Sequence, residues 1–256
     1  MLKRRDAAKD VAAWHDDPWG REAQPRPGPH VRPGLRLPPM PASGRLASAS
    51  VAAQVFAGNR LILVVESLLT GRLFGDALGP DHSLAGLWRR WDVLWYISVA
   101  DHGYVWQPLP HQSNLAFFPL YPLLMHLLTL VSPLSAYGAG LVISSLSFAA
   151  ALYVLHRLVT REFGPAVATR AVFYLGLFPT ALFFLTAYSE GLYLACSVGC
   201  VYALRLRRWW LAGLCGMAAA LTRQRGVLLL VPFAVEYWEA ATAAGRRGWT
   251  AVVPGP

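Results

Sequence analysis

Apolar residues run through this chain in long blocks separated by short polar turns. Residues 114–156 contain no Asp, Glu, Lys or Arg, and residues 171–204 contain one, Glu190. A bilayer-crossing helix takes roughly 20 mostly apolar residues at 1.5 Å rise each. The blocks are long enough for several such helices, which a soluble core would not need. The pattern predicts apolar segments over about 48–69, 115–131, 137–158, 167–187 and 191–204, an all-α polytopic transmembrane bundle. Asn59 and Arg60 interrupt the first segment and shorten its apolar centre.

Arg205, Arg207 and Arg208 mark a turn, after which a further apolar stretch starts at Trp209 and meets Arg223 and Arg225. Two cations at mid-depth would cost about 3 kcal/mol each on insertion scales. Two short helices, 209–221 and 226–238, are cheaper, with Arg223-Gln224-Arg225 in a bend that reaches an aqueous pocket. Residues 1–47 carry many prolines and scattered Arg and predict a disordered cytoplasmic tail, because such a segment buries too little apolar surface to offset its ordering entropy. No cleavable signal peptide is visible, so the first segment is expected to act as an uncleaved anchor. Residues 48–256 then form the transmembrane domain, with a polar, Trp-rich outer loop over 70–113.

The basic residues set an orientation and a parity condition. The tail places the 70–113 loop outside, and the Arg205 cluster places Tyr188-Ser189-Glu190 outside too. An even number of crossings must join them, yet three apolar segments lie between. Segment 115–131, made irregular by Pro119 and Pro122, is expected not to cross, since non-helical backbone at depth must be buried in protein or line a cavity.

Composition sharpens this reading. The 256 residues are 55% hydrophobic and 14% charged, against roughly 25% charged in soluble domains. The net charge of +9 does not point to nucleic acid, because the cations sit in the tail and at the ends of apolar runs. Cys196, Cys200 and Cys215 all lie inside apolar stretches and read as small hydrophobes.

Candidate chemistry gathers in three places. Leu84, Leu87, Trp88, Trp91, Leu94 and Trp95 recur at helical spacing and predict an interfacial amphipathic helix with Trp at headgroup level. Arg89, Asp92 and Tyr96 share its neighbouring face, which would hold one carboxylate where lipid meets water; plain anchoring with a solvated Asp92 is the alternative. Glu190 is an isolated ionisable group beside a span and so a functional candidate; Ser189 as a helix cap with Glu190 in the first turn is equally open. Arg223 and Arg225 offer two forked guanidinium groups suited to a phosphate held near the membrane, or else they snorkel.

The run WDVLWYISVADHGYVW at 91–106, NLAFFPLYPLL at 114–124, FPTALFFLTAYSEGLYL at 178–194 and RRWWLAGLCGMAAALTRQRGVLLL at 207–230 resemble the PIG-V family. That family comprises the second mannosyltransferase of glycosylphosphatidylinositol-anchor assembly and its bacterial relatives. The resemblance implies a GT-C fold with an extracytoplasmic active site and a polyprenyl- or dolichyl-phosphate mannose donor. Trp91 and Asp92 match the family's Trp-Asp pair, where the catalytic carboxylate lies. Tyr188-Ser189-Glu190 matches its Tyr-Ser-Glu element. Arg223 matches its Thr-Arg element, although Gln224-Arg225-Gly226 stands where many relatives have Ser-Thr-Gly. Family members usually continue with further spans, which would follow Pro256. High Ala, Arg, Gly and Pro content suggests a bacterial plasma-membrane relative, with a glycolipid or glycan acceptor.

The expected mechanism is an inverting transfer with Asp92 as general base and Arg223, with Arg225, on the donor phosphate. Trp91, Tyr96, Tyr121, Ser189 and Glu190 would shape the substrate pocket. No cofactor is expected; His102 and His111 lie in the same loop as Asp92 and Asp101, which leaves a divalent ion as an alternative. A non-catalytic membrane protein, and a GT-C enzyme using another lipid-linked sugar, are the competing readings.

Overall fold

The computed structural model describes residues 41–78, 83–108 and 111–250. Most of the expected tail, residues 1–40, lies outside the described residues, as do 79–82, 109–110 and 251–256. Among the described residues every regular element is helical: α1 (Ala42–Leu78), α2 (Leu84–Trp88), α3 (Asp92–His102), α4 (Leu120–Val131), α5 (Ala136–Phe163), α6 (Pro165–Leu177), α7 (Glu190–Arg205), α8 (Trp209–Thr222) and α9 (Leu230–Thr250). Short 3-10 turns cover Asn114–Ala116, Pro179–Phe184 and Gln224–Leu229. In α1 and α5, Ala42–Phe74 and Ala136–Phe163 are long and apolar enough to cross a bilayer; α4, α6 and α8 are apolar but shorter.

Several boundaries differ from the sequence pattern. α1 starts at Ala42, inside the expected tail, and runs to Leu78, inside the expected loop. The 167–187 block is broken after Leu177. Phe178 precedes Pro179 and takes extended angles (φ −63°, ψ 139°), because a proline disfavours the helical region for the residue before it. The chain then tightens into the Pro179–Phe184 turn.

That break leaves helix-end carbonyls without intrahelical partners. Asn59 and Arg60 of α1 take them. Asn59 Nδ2 donates to Gly176 O at 2.8 Å, and Arg60 Nη2 donates to Phe184 O at 2.8 Å. The Arg60 guanidinium also lies over the Phe56 ring at 4.6 Å. The two polar residues that interrupt the apolar run are therefore the groups that hold the broken return segment.

Specific contacts fix the relative directions of the helices. Ser48 meets His156 and Arg60 meets Ser145, so α1 is antiparallel to α5. Gly191 packs on Ser144 while Arg205 bonds Glu162, so α7 runs the same way as α5. α6 and its 3-10 turn return between them, and α8 runs back along α7. At one end Arg205 bridges Glu162 and Glu236, tying α5, α7 and α9 together. The opposite end carries α3, the start of α4, the start of α7 and the end of α8.

Along α5, α4 packs against the first turns. Tyr121 Oη lies 3.0 Å from Gly140 O, and Tyr121, Met125, Ala136 and Ala139 share one buried cluster. α4 thus stays at one end of the bundle. Between residue 113 and Glu190, α5 runs the length of the bundle and α6 with its turn runs back beside it.

Candidate active site at the junction of α3, α7 and α8

Trp-rich helix and carboxylate meet at a backbone break. The expected single amphipathic helix is two helices, α2 and α3, parted at residues 89–91. Trp91 is the N-cap of α3 with φ 53° and ψ −125°, a left-handed conformation that a bulky side chain adopts only where its surroundings impose it. Its indole stands exposed, and Asp92, the first residue of α3, is exposed beside it. One turn further, Tyr96 is buried at 6% exposure.

Tyr96 is the hub of an aromatic box. Its ring meets Phe117 edge-on at 5.0 Å, Tyr121 at 5.0 Å and Tyr188 at 6.4 Å. Its hydroxyl lies 2.8 Å from Ser189 Oγ. Arg223 Nη1 donates to that same Ser189 oxygen at 3.3 Å and forms an ion pair with Glu190. A second polar chain runs beneath. Ser144 Oγ donates to Tyr188 O at 2.7 Å and lies 2.7 Å from the Tyr121 hydroxyl.

The local sequence explains how these elements come so close. A Cβ on Gly191 would stand 2.8 Å from Ser144 O, and one on Gly140 2.8 Å from Ala187 Cβ. Arg223 is extended (φ −152°, ψ 143°) and ends α8. Gly226 then packs so tightly that any Cβ would overlap the Ala219–Ala220 backbone, and its N–H donates to Arg223 O at 2.8 Å. The bend expected at 223–225 is thus built by a glycine that folds back on α8.

Electrostatics define the available groups. Burial pushes the Tyr96 phenol up to about 12, with Asp92, Glu190 and Arg223 all close enough to act on it. Burial likewise pushes Tyr188 up to about 12, and the Asp92 charge adds to the rise. Both phenols are neutral at physiological pH, and two carboxylates, Asp92 and Glu190, stand close to them. Glu190 Oε2 is buried and has no hydrogen-bond partner among the described residues.

The structure joins Tyr96, Tyr121, Ser189, Glu190 and Arg223 into one connected cluster. Asp92 reaches it through Tyr188, whose hydroxyl donates to Arg90 O at 3.3 Å and lies against the Asp92 backbone N–H. Trp91 stands at the rim. Arg225 is exposed on the 3-10 turn and makes no hydrogen bond or ion pair among the described residues. The Ser189 side chain caps nothing; it serves Tyr96 and Arg223 instead. Ser144 is a cluster member that the sequence did not single out; a serine in an uncharged apolar run carries no signal of its own. Among the described residues no three His, Cys, Asp or Glu side chains gather as a metal site would need.

The family model Mannosyltransferase (PIG-V) matches residues 79–235. The chain belongs to the PIG-V mannosyltransferase family. Every candidate site residue from Trp91 to Arg225 falls inside the matched range, whereas α1 precedes it. The chain is 28% identical over 156 residues to GPI alpha-1,6-mannosyltransferase 2 of Rattus norvegicus, covering 57% of this chain and 31% of the relative. The protein of the same name from Mus musculus is 28% identical over 157 residues, with the same shares. The chain thus spans about a third of the length of the curated relatives it matches. No solved structure matches it. Membership of this family, with two helices fit to cross a bilayer, makes it a membrane protein.

Proposed function

We propose that this PIG-V family chain carries the reaction centre of a GT-C mannosyltransferase that moves mannose from a polyprenyl-phosphate carrier to an extracytoplasmic glycolipid or glycan. The observation that carries the proposal is the gathering of Asp92, Glu190 and Arg223 around the buried phenol of Tyr96. A carboxylate exposed at the rim and a guanidinium fork one residue cluster away are the two charges that such a transfer needs.

The reading places the cluster at a membrane surface. Ser144 and Glu162 lie along one helix at about 27 Å separation, close to the roughly 30 Å hydrocarbon thickness of a bilayer. Arg157, Arg161, Arg205, Arg207 and Arg208 crowd the Glu162 end. Under the positive-inside rule that end is cytoplasmic, which puts the Arg223–Glu190 pair at the outer interface and gives a multi-pass topology.

In the proposed step Asp92 takes the proton of an acceptor hydroxyl. The hydroxyl oxygen forms the new bond to the anomeric carbon with inversion, while the bond from that carbon to the phosphate oxygen breaks. The electron pair leaves with polyprenyl phosphate, whose growing charge faces Arg223. Arg225, exposed two residues further on, is a second cation for the same phosphate. Glu190 orients Arg223, and its free Oε2 accepts from a sugar hydroxyl. Trp91, Tyr96, Tyr121 and Ser189 wall the pocket, and no cofactor takes part in the scheme.

The test uses Asp92→Asn and Arg223→Ala with radiolabelled polyprenyl-phosphate mannose. Asp92→Asn should abolish transfer while the donor still binds. Full turnover in that variant would remove Asp92 from the base role, and unchanged donor dependence in Arg223→Ala would remove Arg223 from the phosphate.

A further inference from the structure

Next to the aromatic box lies a second cleft, of about 540 Å³, on the far side of Trp95 and Phe117. Its size falls within the range of small-ligand sites, about 300–1,000 Å³. Trp95 and Phe117 stack at 6.1 Å with 20° between their planes and form one wall. Trp106 forms another, with its indole 70% exposed. Gln107, Gln112 and His111 supply polar groups, and among the described residues no Asp, Glu, Lys or Arg lines the cleft.

The Trp106 wall is held in place rather than loosely hung. Asn114, 2% exposed, spends both ends of its amide on the strap before Trp106: Val105 N–H donates to its Oδ1 at 2.8 Å, and its Nδ2 donates to Gly103 O at 3.0 Å. Ser113 Oγ donates to Val105 O at 2.9 Å, and Tyr104 Oη donates to Phe117 O at 2.6 Å. Gly103 turns the chain at φ 77°, a left-handed angle that glycine adopts without a Cβ penalty. Such fixed surroundings pre-organise a binding surface.

We propose that this cleft binds a neutral hexopyranoside unit of the acceptor glycan. Flat aromatic faces match the C–H face of a pyranose ring. Side-chain amides and an imidazole, which both donate and accept, match its hydroxyls. The lack of charged lining disfavours a phosphate or a cationic ligand. A bare apolar anchor would gain nothing from two glutamines and a histidine facing the same space. Trp95 stands three residues after Asp92 on α3, the spacing of side-chain neighbours on a helix, so a sugar on Trp95 presents its hydroxyls towards that carboxylate. The identification of the bound sugar as an acceptor rests on the mannosyltransferase reading; the binding itself does not.

The experiment is saturation-transfer-difference NMR on the full chain in nanodiscs of zwitterionic lipid, with methyl α-D-mannopyranoside as probe and inorganic phosphate as competitor. A saturable signal at millimolar probe is expected, indifferent to phosphate and at least ten-fold weaker in Trp106→Ala and in Gln112→Ala. Trp210→Ala, at an exposed site on α8, controls for the loss of any indole. No saturable signal, or an equal signal in Trp106→Ala, overturns the proposal. Binding by a wild-type chain that transfers no mannose would sink the enzyme reading and leave the sugar site standing. Transfer with an acceptor KM unchanged in Trp106→Ala would sink the site and leave the enzyme.

Discussion

Arg223 and Glu190 form an ion pair across the junction of α8 and α7, with side chains 34% and 28% exposed. Neither residue reaches the other by helix periodicity. The pair exists because Gly226 folds the chain back on α8 and Gly191 lets α7 sit against α5. A pair so exposed is not a stability device, since partly solvated ion pairs contribute little. In the proposed reaction its place beside the Tyr96–Ser189 hydrogen bond serves to orient the guanidinium.

Glu190→Gln should therefore lower transfer by roughly 100-fold, the scale of losing one aligned electrostatic group in a reaction centre, with little change in thermal stability. Arg223→Lys should not restore activity to the parent level, because an ammonium cannot contact Ser189 and a phosphate with a planar fork. Steady-state kinetics on both variants, beside melting curves, check this. A Glu190→Gln enzyme with normal kcat and a collapsed melting temperature would make the pair structural.

Gly226→Ala makes the geometric part of the argument testable. Its new methyl would overlap the Ala219–Ala220 backbone, so the 3-10 turn must part from α8. Such overpacking costs about 1–3 kcal/mol, and the displaced Arg223 should cost activity as well. The expected result is loss of transfer together with a lower melting temperature. Alanine at the open Gly213 should have neither effect.

Asn59→Leu tests the polar interruption of α1. The leucine would suit the apolar segment by composition, yet it leaves Gly176 O without the donor it now has at 2.8 Å. An orphaned buried carbonyl costs about 1–3 kcal/mol. A lower melting temperature in detergent is expected despite the gain in hydropathy, and a higher one would contradict the role given to Asn59.

Those two residues show where sequence reading succeeds and where it stops. The apolar blocks give α4, α5, α7 and α8 within a few residues, because burial in lipid imposes a long, uniform pattern. The bend at Arg223 was legible too, since two cations at depth have a cost that a straight helix cannot avoid. Asn59 and Arg60 were visible as a blemish, but their partners at Gly176 and Phe184 lie over a hundred positions away. The break at Trp91 was hidden because Trp88, Trp91 and Trp95 keep helical spacing on both sides of it. Ser189 could be read as a cap; only the tertiary approach of Tyr96 and Arg223 assigns its hydroxyl elsewhere.

The phenols give a pH dependence with a definite sign. Burial raises Tyr96 and Tyr188 to about 12 in the folded chain, whereas an unfolded tyrosine titrates near 10. Between those values the folded state holds more protons than the unfolded one, so stability is intact below about pH 10 and falls as pH rises towards about 12. Tyr96→Phe removes one of the raised phenols and should flatten part of that fall, while losing the 2.8 Å contact with Ser189 and about 1 kcal/mol at neutral pH. Melting temperatures of parent and variant, taken in steps from pH 8 to roughly 12, give both effects in one series. Parallel curves for the two proteins across the alkaline range would show that Tyr96 ionises as freely in the fold as in the open chain, and the box around it would then not be the dry enclosure its neighbours imply.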